Sequence, residues 1–204
     1  MGHMYFEYTI IREKTTKLDF DLYCVDIYGL LDRENVYSYD DDTERFTAFQ
    51  IAVVDWINQW EHQPDVIHVH DHHTALIPFM MQQCHAYSRL SKVPTVLTIH
   101  NGQYQGWMSW DKSTYIPAWD TWQWGLLDWS NTINPLACGV KCADRVTTVS
   151  PSYMEELTES ANGLEQLFRM ERAKCTGILN GIDTVVWNPE TDTYILDNYS
   201  LKDE

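Results

Sequence analysis

Basic residues are scarce in this chain of 204 residues, which has 14 lysines and arginines against 30 aspartates and glutamates. A protein that binds nucleic acid or an anionic membrane needs basic patches to neutralise phosphates, and no run of this sequence supplies one. We therefore expect neither nucleic acid nor a membrane as a partner. The sequence also lacks any apolar run near the ~20 residues that cross a bilayer.

Cysteine is also sparse. The five cysteines are odd in number, lie among apolar neighbours and follow no secretory signal peptide. This pattern predicts reduced thiols and a cytoplasmic protein. Cys138 and Cys142 lie one helical turn apart, as two metal ligands would, but no second pair lies nearby and we interpret them as buried thiols. Residues 1–4 look like a cloning scar.

Strand-like and helix-like segments alternate along most of the chain. The predicted strands cover residues 6–12, 18–27, 65–70, 94–99, 145–149 and 175–179, and the first two form a β-hairpin. The first predicted helix begins after the carboxylates at 40–42, which could cap it. Four further helices are predicted at 74–87, 132–142, 151–158 and 164–174. The first helix carries one apolar stripe, made of Phe46, Phe49, Val53, Trp56 and Trp60. Such alternation predicts an α/β fold, a parallel sheet with helices on both faces.

Four of the predicted strands end in residues that are typical of a binding site. In open α/β sheets, ligands bind at the carboxyl ends of the strands. The ends at residues 70–73, 100–106, 150–151 and 180–183 carry polar side chains, prolines or glycines. We expect them to converge on one edge of the sheet.

The end of the strand at 94–99 carries the strongest of these signals. His100 ends the strand, and Asn101 and Gln105 supply amides that can both donate to and accept from sugar hydroxyls. Gly102 and Gly106 allow the backbone to approach a ligand closely. The alternative interpretation is a tight turn in which His100 bonds a neighbouring carbonyl.

The run HVHDHH at residues 68–73 has five potential metal ligands in six positions, which suggests zinc. Strand geometry weakens this hypothesis, because His68 and His70 would both lie inside a buried sheet, and we interpret them as core histidines. Asp71 and His73 lie beyond the strand, where they either hydrogen-bond a ligand hydroxyl or cap the next helix.

Six of the nine tryptophans lie in one excursion between residues 104 and 129. They are Trp107, Trp110, Trp119, Trp122, Trp124 and Trp129. Their flat rings would match the faces of pyranose sugars. We expect most of them instead to fasten this long excursion to the domain.

Four segments, in this order and spacing, resemble a known family: DVIHVHDHHTALIP, PTVLTIHNGQYQG, NPLACGVKCADRVTTVSPSYMEEL and GILNGIDTVVWNPETD. They closely resemble the bacterial glycogen synthases and plant starch synthases of glycosyltransferase family 5. The resemblance implies a GT-B architecture, in which two Rossmann-like domains face each other across a cleft. It implies retaining transfer of glucose from ADP-glucose, sometimes UDP-glucose, to the non-reducing end of an α-1,4-glucan, with no metal or other cofactor.

The same resemblance implies roles for particular residues. His100 is the histidine that reaches the donor glucose and assists catalysis. The implied substrate-binding residues are Asp71, His73, Asn101, Tyr104, Gln105, Asn180 and Asp183. His72 and Gly102 depart from the family pattern, which usually has a tryptophan and an aliphatic residue at these positions.

The resemblance also predicts that the chain is a fragment. Family members open with a strand and a lysine-containing glycine-rich loop, and they close with a second domain whose cationic residues hold the diphosphate. We expect residues 5–191 to be part of the N-terminal, acceptor-side domain and residues 192–204 to lead toward the C-terminal domain. We expect the isolated chain to be inactive, and its exposed strand edges predict self-association.

Two other functions fit parts of the sequence. A non-catalytic glucan-binding module would use the tryptophan-rich excursion with Asp71, His73 and His100 to bind sugar without turnover. A zinc hydrolase would be built on residues 68–73.

Overall fold

The computed structural model describes residues 6–15 and 17–201, so the cloning scar expected at residues 1–4 lies outside the described residues. The strands are β1 (Thr9–Arg12), β2 (Tyr23–Asp26), β3 (Ile67–His70), β4 (Thr95–Ile99), β5 (Asp128–Trp129), β6 (Thr132–Ile133), β7 (Arg145–Thr148) and β8 (Cys175–Gly177). The α-helices are α1 (Asp42–Asn58), α2 (Asp71–Thr74), α3 (Ile77–Gln83), α4 (Pro135–Cys142), α5 (Pro151–Glu159) and α6 (Glu165–Met170). Short 3₁₀ helices cover His85–Leu90, Trp110–Tyr115, Thr121–Leu126 and Arg172–Lys174. In the described part of the chain, no helix has the length and apolar character that crossing a membrane requires.

A parallel sheet of four strands, in the order β3-β4-β7-β8, organises the fold. The α/β class and the parallel sheet predicted from the sequence are confirmed. Because the strands are parallel, their carboxyl ends lie along one edge of the sheet, where the sequence places the candidate site. The opening hairpin is confirmed as well, since β1 and β2 pair antiparallel, although both strands are shorter than predicted.

The prediction that helices cover both faces of the sheet is wrong for the described residues. One face is buried, and its side chains include Val69, Leu97 and Val146. The opposite face, which we call the uncovered face, exposes His68 and His70 and leaves Thr98 half-buried. The strand order explains this difference. Each new strand is added on the same side of the previous one, and right-handed crossovers then place every connecting helix on the same face.

Strand β3 forms one edge of the sheet, since it pairs with β4 alone among the described strands. Its outer side therefore presents backbone N–H and C=O groups that no described strand satisfies. An open edge of this kind is a template for pairing with another chain.

Helix α1 has two buried faces, which explains why its predicted apolar stripe is only half-buried. Ile51 and Val54 pack into the main core, whereas Ala48 and Ala52 pack against Ile27 beside the hairpin. The aromatic residues of the predicted stripe lie on the opposite side of the helix and remain partly exposed.

The predicted cap of α1 also differs from the observed one. Asp41 occupies the N-cap position but makes no side-chain capping hydrogen bond. Its carboxylate pairs with Arg33 at 2.8 Å instead.

Several element boundaries differ from those predicted. The helix expected at 74–87 is observed as α3 followed by a 3₁₀ helix, since α2 already ends at Thr74, and Pro78 lies in the first turn of α3. The expected helix at 132–142 begins only at Pro135, because Asn134 caps it by accepting a hydrogen bond from Ala137 N–H at 2.9 Å. The predicted cap of α5 is confirmed, since Ser150 Oγ accepts from Tyr153 N–H at 2.9 Å.

Candidate functional site

The ends of β3 and β4 are joined by the carboxylate of Asp71. This residue has a φ of 53°, in the left-handed region that a non-glycine residue seldom adopts. Its Oδ1 accepts hydrogen bonds from the backbone N–H groups of His100 at 2.8 Å and Asn101 at 3.4 Å. Strain of this kind is retained where surrounding interactions determine the conformation. Asp71 thus fixes where the chain leaves β4.

Gln105 fastens the loop that follows β4. Gln105 is 3% exposed, and the two hydrogens of Nε2 are shared among the carbonyls of Gly102, Ala161 and Asn162, each 3.1 Å away. Its Oε1 accepts from Trp107 Nε1 at 2.9 Å and from Asn134 Nδ2 at 2.8 Å. The amide is fully occupied by protein groups, so Gln105 acts on its surroundings through the loop it holds.

A cavity of about 720 Å³ lies beside this loop, between α1 and α2. Its walls include Asp71, His72 and His73 from α2, together with Asn101, Tyr104 and Trp107 from the loop. Tyr37 and Phe46 also line the cavity, with their rings 5.3 and 4.5 Å from that of His73. Aromatic rings interleaved with small polar groups suit a sugar, and the described lining contains no lysine or arginine.

His72 and His73 form the inner wall of the cavity, with ring centroids 3.7 Å apart. Burial, followed by the neighbouring His73, lowers the pKa of His72 to about 4, so its imidazole is neutral near pH 7. Burial also lowers the pKa of His73. Gly106, with φ of +71°, makes room for this wall, since an added Cβ would lie 2.7 Å from Cδ2 of His72.

His100 points away from the cavity and lies on the uncovered face of the sheet. Its Nε2 is 3.1 Å from Nδ1 of His70, and the two rings meet edge to edge with centroids 5.3 Å apart. The interpretation of His68 and His70 as core histidines is wrong, because both are exposed on this face. Sequence reasoning assumed a second layer of helices there.

The turn at residues 180–183 lies apart from the cavity. Asn180 and Asp183 are exposed, and neither lines the cavity. The carboxylate of Asp183 accepts from the N–H groups of Val185 and Val186 at 2.9 and 3.0 Å, and these hydrogen bonds lower its pKa.

The structure thus brings together half of the predicted site residues. Asp71, His73, Asn101 and Tyr104 share one cavity, whereas His100, Gln105, Asn180 and Asp183 lie outside its lining. Tyr37 was missed because it lies in the irregular segment before α1 and follows no strand. Its ring is 5.3 Å from that of His73, a contact that no local sequence pattern encodes.

The tryptophans of the excursion divide into two groups. Trp110, Trp119 and Trp129 pack against the core, as expected for residues that fasten the excursion. Trp107, Trp122 and Trp124 are exposed by 56%, 74% and 56%. Of these three, Trp107 alone lines the cavity.

No group of three or more histidine, cysteine or acidic side chains has a metal-binding arrangement in the part of the chain that the structure describes. Cys138 and Cys142 are buried, as predicted. Burial raises the pKa of the Cys138 thiol, which disfavours the thiolate that a metal would need.

Glu44 on α1 holds the tryptophan-rich excursion at residues 104–129 against this helix. Its Oε1 accepts from Lys112 Nζ and from the Tyr115 hydroxyl, the latter at 2.9 Å. Burial opposes ionisation of Glu44, but these two hydrogen bonds outweigh it and lower the pKa below the usual 4.5. The carboxylate therefore stabilises the fold above pH 4.5, and this contribution disappears as the pH falls through the lowered pKa.

We expect Glu44→Gln to flatten the acid limb of the stability profile. The wild-type chain loses stability below pH 4.5 in part because Glu44 becomes protonated, whereas the glutamine variant has no such group. Thermal unfolding between pH 3 and 7 measures this difference. Glu159→Gln, an exposed substitution on α5, provides the control. Equal slopes for wild type and Glu44→Gln below pH 4.5 would contradict the prediction.

The fold and the cavity together define a class of protein. A parallel α/β sheet whose carboxyl edge carries a cavity is a domain of the Rossmann-like type. The sequence model of the family described as "Starch synthase catalytic domain" matches residues 2–170. The chain belongs to this family, glycosyltransferase family 5.

Individual relatives agree with this assignment. The chain is 52% identical over 202 residues to a glycogen synthase of Flavobacterium johnsoniae, covering 99% of this chain and 43% of the relative. It is 39% identical over 199 residues to a glycogen synthase of Streptococcus uberis, covering 95% and 41%. The chain therefore spans less than half the length of these curated relatives.

A solved structure shares the fold. The catalytic domain of starch synthase IV from Arabidopsis thaliana, bound to ADP and acarbose, superposes with a TM-score of 0.79 at 28% identity. The alignment covers 97% of this chain and 42% of that one. The predicted GT-B relationship is confirmed.

Proposed function

We propose that this chain contributes the acceptor-side part of a glycogen or starch synthase, which transfers glucose from ADP-glucose to the non-reducing end of an α-1,4-glucan. The observation that carries the proposal is the cavity at the carboxyl edge of the sheet, with aromatic and hydroxyl-binding side chains on its walls. In this proposal residues 5–191 belong to the N-terminal domain, and residues 192–204 lead toward a second domain.

The proposed reaction exchanges one bond at the anomeric carbon of glucose for another. The bond from C1 to the diphosphate oxygen breaks, and the diphosphate leaves with the electron pair. The 4-hydroxyl of the glucan forms the new bond to C1 on the same face and loses its proton. Placed hydrogen bonds and charges stabilise the oxocarbenium-like centre and the departing diphosphate.

The cavity residues hold the glucan in this proposal. The rings of Tyr37, Tyr104 and Trp107 present flat faces to the sugar, and Asn101 with Asp71 supplies polar atoms near the end of β4. His100 serves the donor side, because it lies across the sheet edge from the cavity. Asn180 and Asp183 are assigned to the cleft near the hinge.

Removal of Trp107 tests this assignment. We expect Trp107→Ala to weaken binding of maltoheptaose about tenfold, which corresponds to roughly 1.4 kcal/mol, because one stacking face of the cavity is lost. Trp122→Ala removes another exposed tryptophan, outside the cavity lining, and should change affinity less than about twofold. Isothermal titration calorimetry of the 204-residue chain measures both.

Two results of this titration would contradict the assignment. Equal losses in the two variants would favour a diffuse aromatic surface and count against the cavity. Absence of binding by the wild-type chain would overturn the proposed acceptor role. In a separate transfer assay, maltoheptaose binding without glucosyl transfer by a two-domain protein that contains this chain would favour the non-catalytic glucan-binding module.

We expect the 204-residue chain alone to transfer no measurable glucose from ADP-glucose to glycogen. The described cavity lining has no lysine or arginine, so it offers no cationic groups for a diphosphate. A radiolabelled glucosyl transfer assay with purified chain measures this, and turnover above the no-protein control would contradict the expectation.

Self-association is part of the proposal. The open edge of β3 and the uncovered face favour pairing between copies, so light scattering on a size-exclusion column should give a mass above that of one chain.

A cytoplasmic location is likewise proposed, which the five unpaired cysteines support.

A further inference from the structure

His70 and His100 form a side-chain pair on the uncovered face of the sheet. His70 lies opposite Thr98 in the register of β3 and β4, which leaves His100 two residues further along the same face. Their nitrogens, Nδ1 of His70 and Nε2 of His100, are 3.1 Å apart, which is hydrogen-bond distance. The planes of the two rings differ by 29°.

His70 is itself firmly anchored. Its backbone N–H donates to Thr74 Oγ1 at 2.6 Å, and the same hydroxyl donates to the carbonyl of His70 at 2.6 Å. The ring of His68 lies on its other side, with centroids 4.3 Å apart. His70 is therefore held from its backbone and from one face of its ring.

The residue after His70 holds the backbone of its partner. Asp71 accepts the N–H of His100, as described above, so two consecutive residues at the end of β3 contact the backbone and the ring of one histidine. The backbone of Asp71 leaves the strand conformation, with φ of 53°. Two contacts of different kinds thus fix both the position and the direction of His100.

A hydrogen bond between two neutral imidazoles couples their tautomers. One ring must present an N–H and the other a lone pair, so the proton position on one ring determines the proton position on the other. Partial desolvation of the ring by the groups packed beside it, followed by the neighbouring His68 and His100, lowers the pKa of His70, which favours a neutral ring near pH 7.

We propose that His70 is a positioning residue that sets the direction and the tautomer of the His100 ring. The proposal rests on the proposed role of His100 at the transferring centre. His70 itself is not assigned any contact with substrate. It acts by presenting one defined nitrogen of His100 to the donor side of the cleft.

Long-range ¹H–¹⁵N correlation spectra of the imidazole rings test the proposal on the 204-residue chain at pH 7.5. We expect His100 to show a single tautomer in the wild type. In His70→Phe, which has a ring but no nitrogen, His100 should show an average of both tautomers. His70→Asn places an amide near the position of Nδ1, which gives His100 Nε2 a hydrogen-bond partner again, and should move the tautomer ratio away from that of His70→Phe.

The control is His68→Phe, a change on the same strand and the same face that removes no hydrogen bond to His100. It should leave the tautomer of His100 unchanged. If His70→Phe does not fold, as judged by thermal melting, His70→Gln gives the same comparison, because its amide extends to the position of Nε2. An unchanged His100 tautomer in the folded His70 variants would overturn the proposal.

This measurement requires no sugar. A chain that fails to bind maltoheptaose but shows the predicted tautomers would remove the proposed function and leave the His70–His100 pairing intact. Normal glucan binding with unaltered tautomers would remove the positioning role of His70 alone.

Discussion

The Gln105→Leu variant is expected to unfold with a free energy about 3–4 kcal/mol lower than that of the wild type. Leucine fills a similar volume, but it leaves the buried Nδ2 of Asn134 and the carbonyl of Gly102 without partners, and it removes one of the two donors to the Ala161 carbonyl. Each buried polar group left unpaired costs roughly 1–3 kcal/mol. Urea unfolding followed by circular dichroism measures the loss.

The same substitution should also impair ligand binding. Trp107 donates its Nε1 hydrogen to Gln105 Oε1, so the variant releases a ring that lines the cavity. We expect weaker maltoheptaose binding even at temperatures where Gln105→Leu remains folded. Gln103→Leu is the matched control, since it makes the same change at an exposed position in the same loop. Similar destabilisation by both variants would contradict the role assigned to Gln105.

Gly177→Ala is expected to destabilise the carboxyl edge of the sheet by at least about 3 kcal/mol, with a fall in melting temperature of roughly 6–12 °C. A Cβ on Gly177 would lie 2.2 Å from the carbonyl oxygen of Ser150 and 2.4 Å from Cα of Pro151. Both are backbone atoms at the start of α5, so no side-chain rotation relieves the overlap. Strand β8 or helix α5 must move.

Gly181→Ala provides the control for this effect, because no heavy atom lies within 4 Å of its added Cβ. We expect a change within about 0.5 kcal/mol for that variant. Differential scanning calorimetry of the two variants side by side measures the difference. A Gly177→Ala chain that melts at the wild-type temperature would show that the end of β8 is not packed against α5 in solution.

The elements that were predicted correctly depend on local signals. The apolar strand β4, the Ser150–Pro151 start of α5 and the opening hairpin each follow from residues that are adjacent in sequence. The convergence of strand ends also follows, because parallel strands share one carboxyl edge. The family assignment came from four motifs in order.

The features that sequence reasoning missed depend on partners that are distant along the chain. The sequence suggested that Gln105 is a sugar-binding amide. Its Nε2 instead hydrogen-bonds the carbonyls of residues 161 and 162, more than fifty positions away. The exposure of His68 and His70 depends on which face the helices occupy, which follows from strand order. No window of sequence contains that information.

The position of the cavity relative to the sheet has a consequence for local stability. Strand β4 is hydrogen-bonded on both sides, whereas β3 is bonded on one, so β3 should open more often than its neighbour. The cavity takes Asp71 and His73 from just after the weaker strand, and Asn101 and Tyr104 from just after the stronger one. A molecule bound there joins the two. Binding in the cavity therefore disfavours the opening of β3, and slower amide hydrogen exchange along β3 should accompany binding.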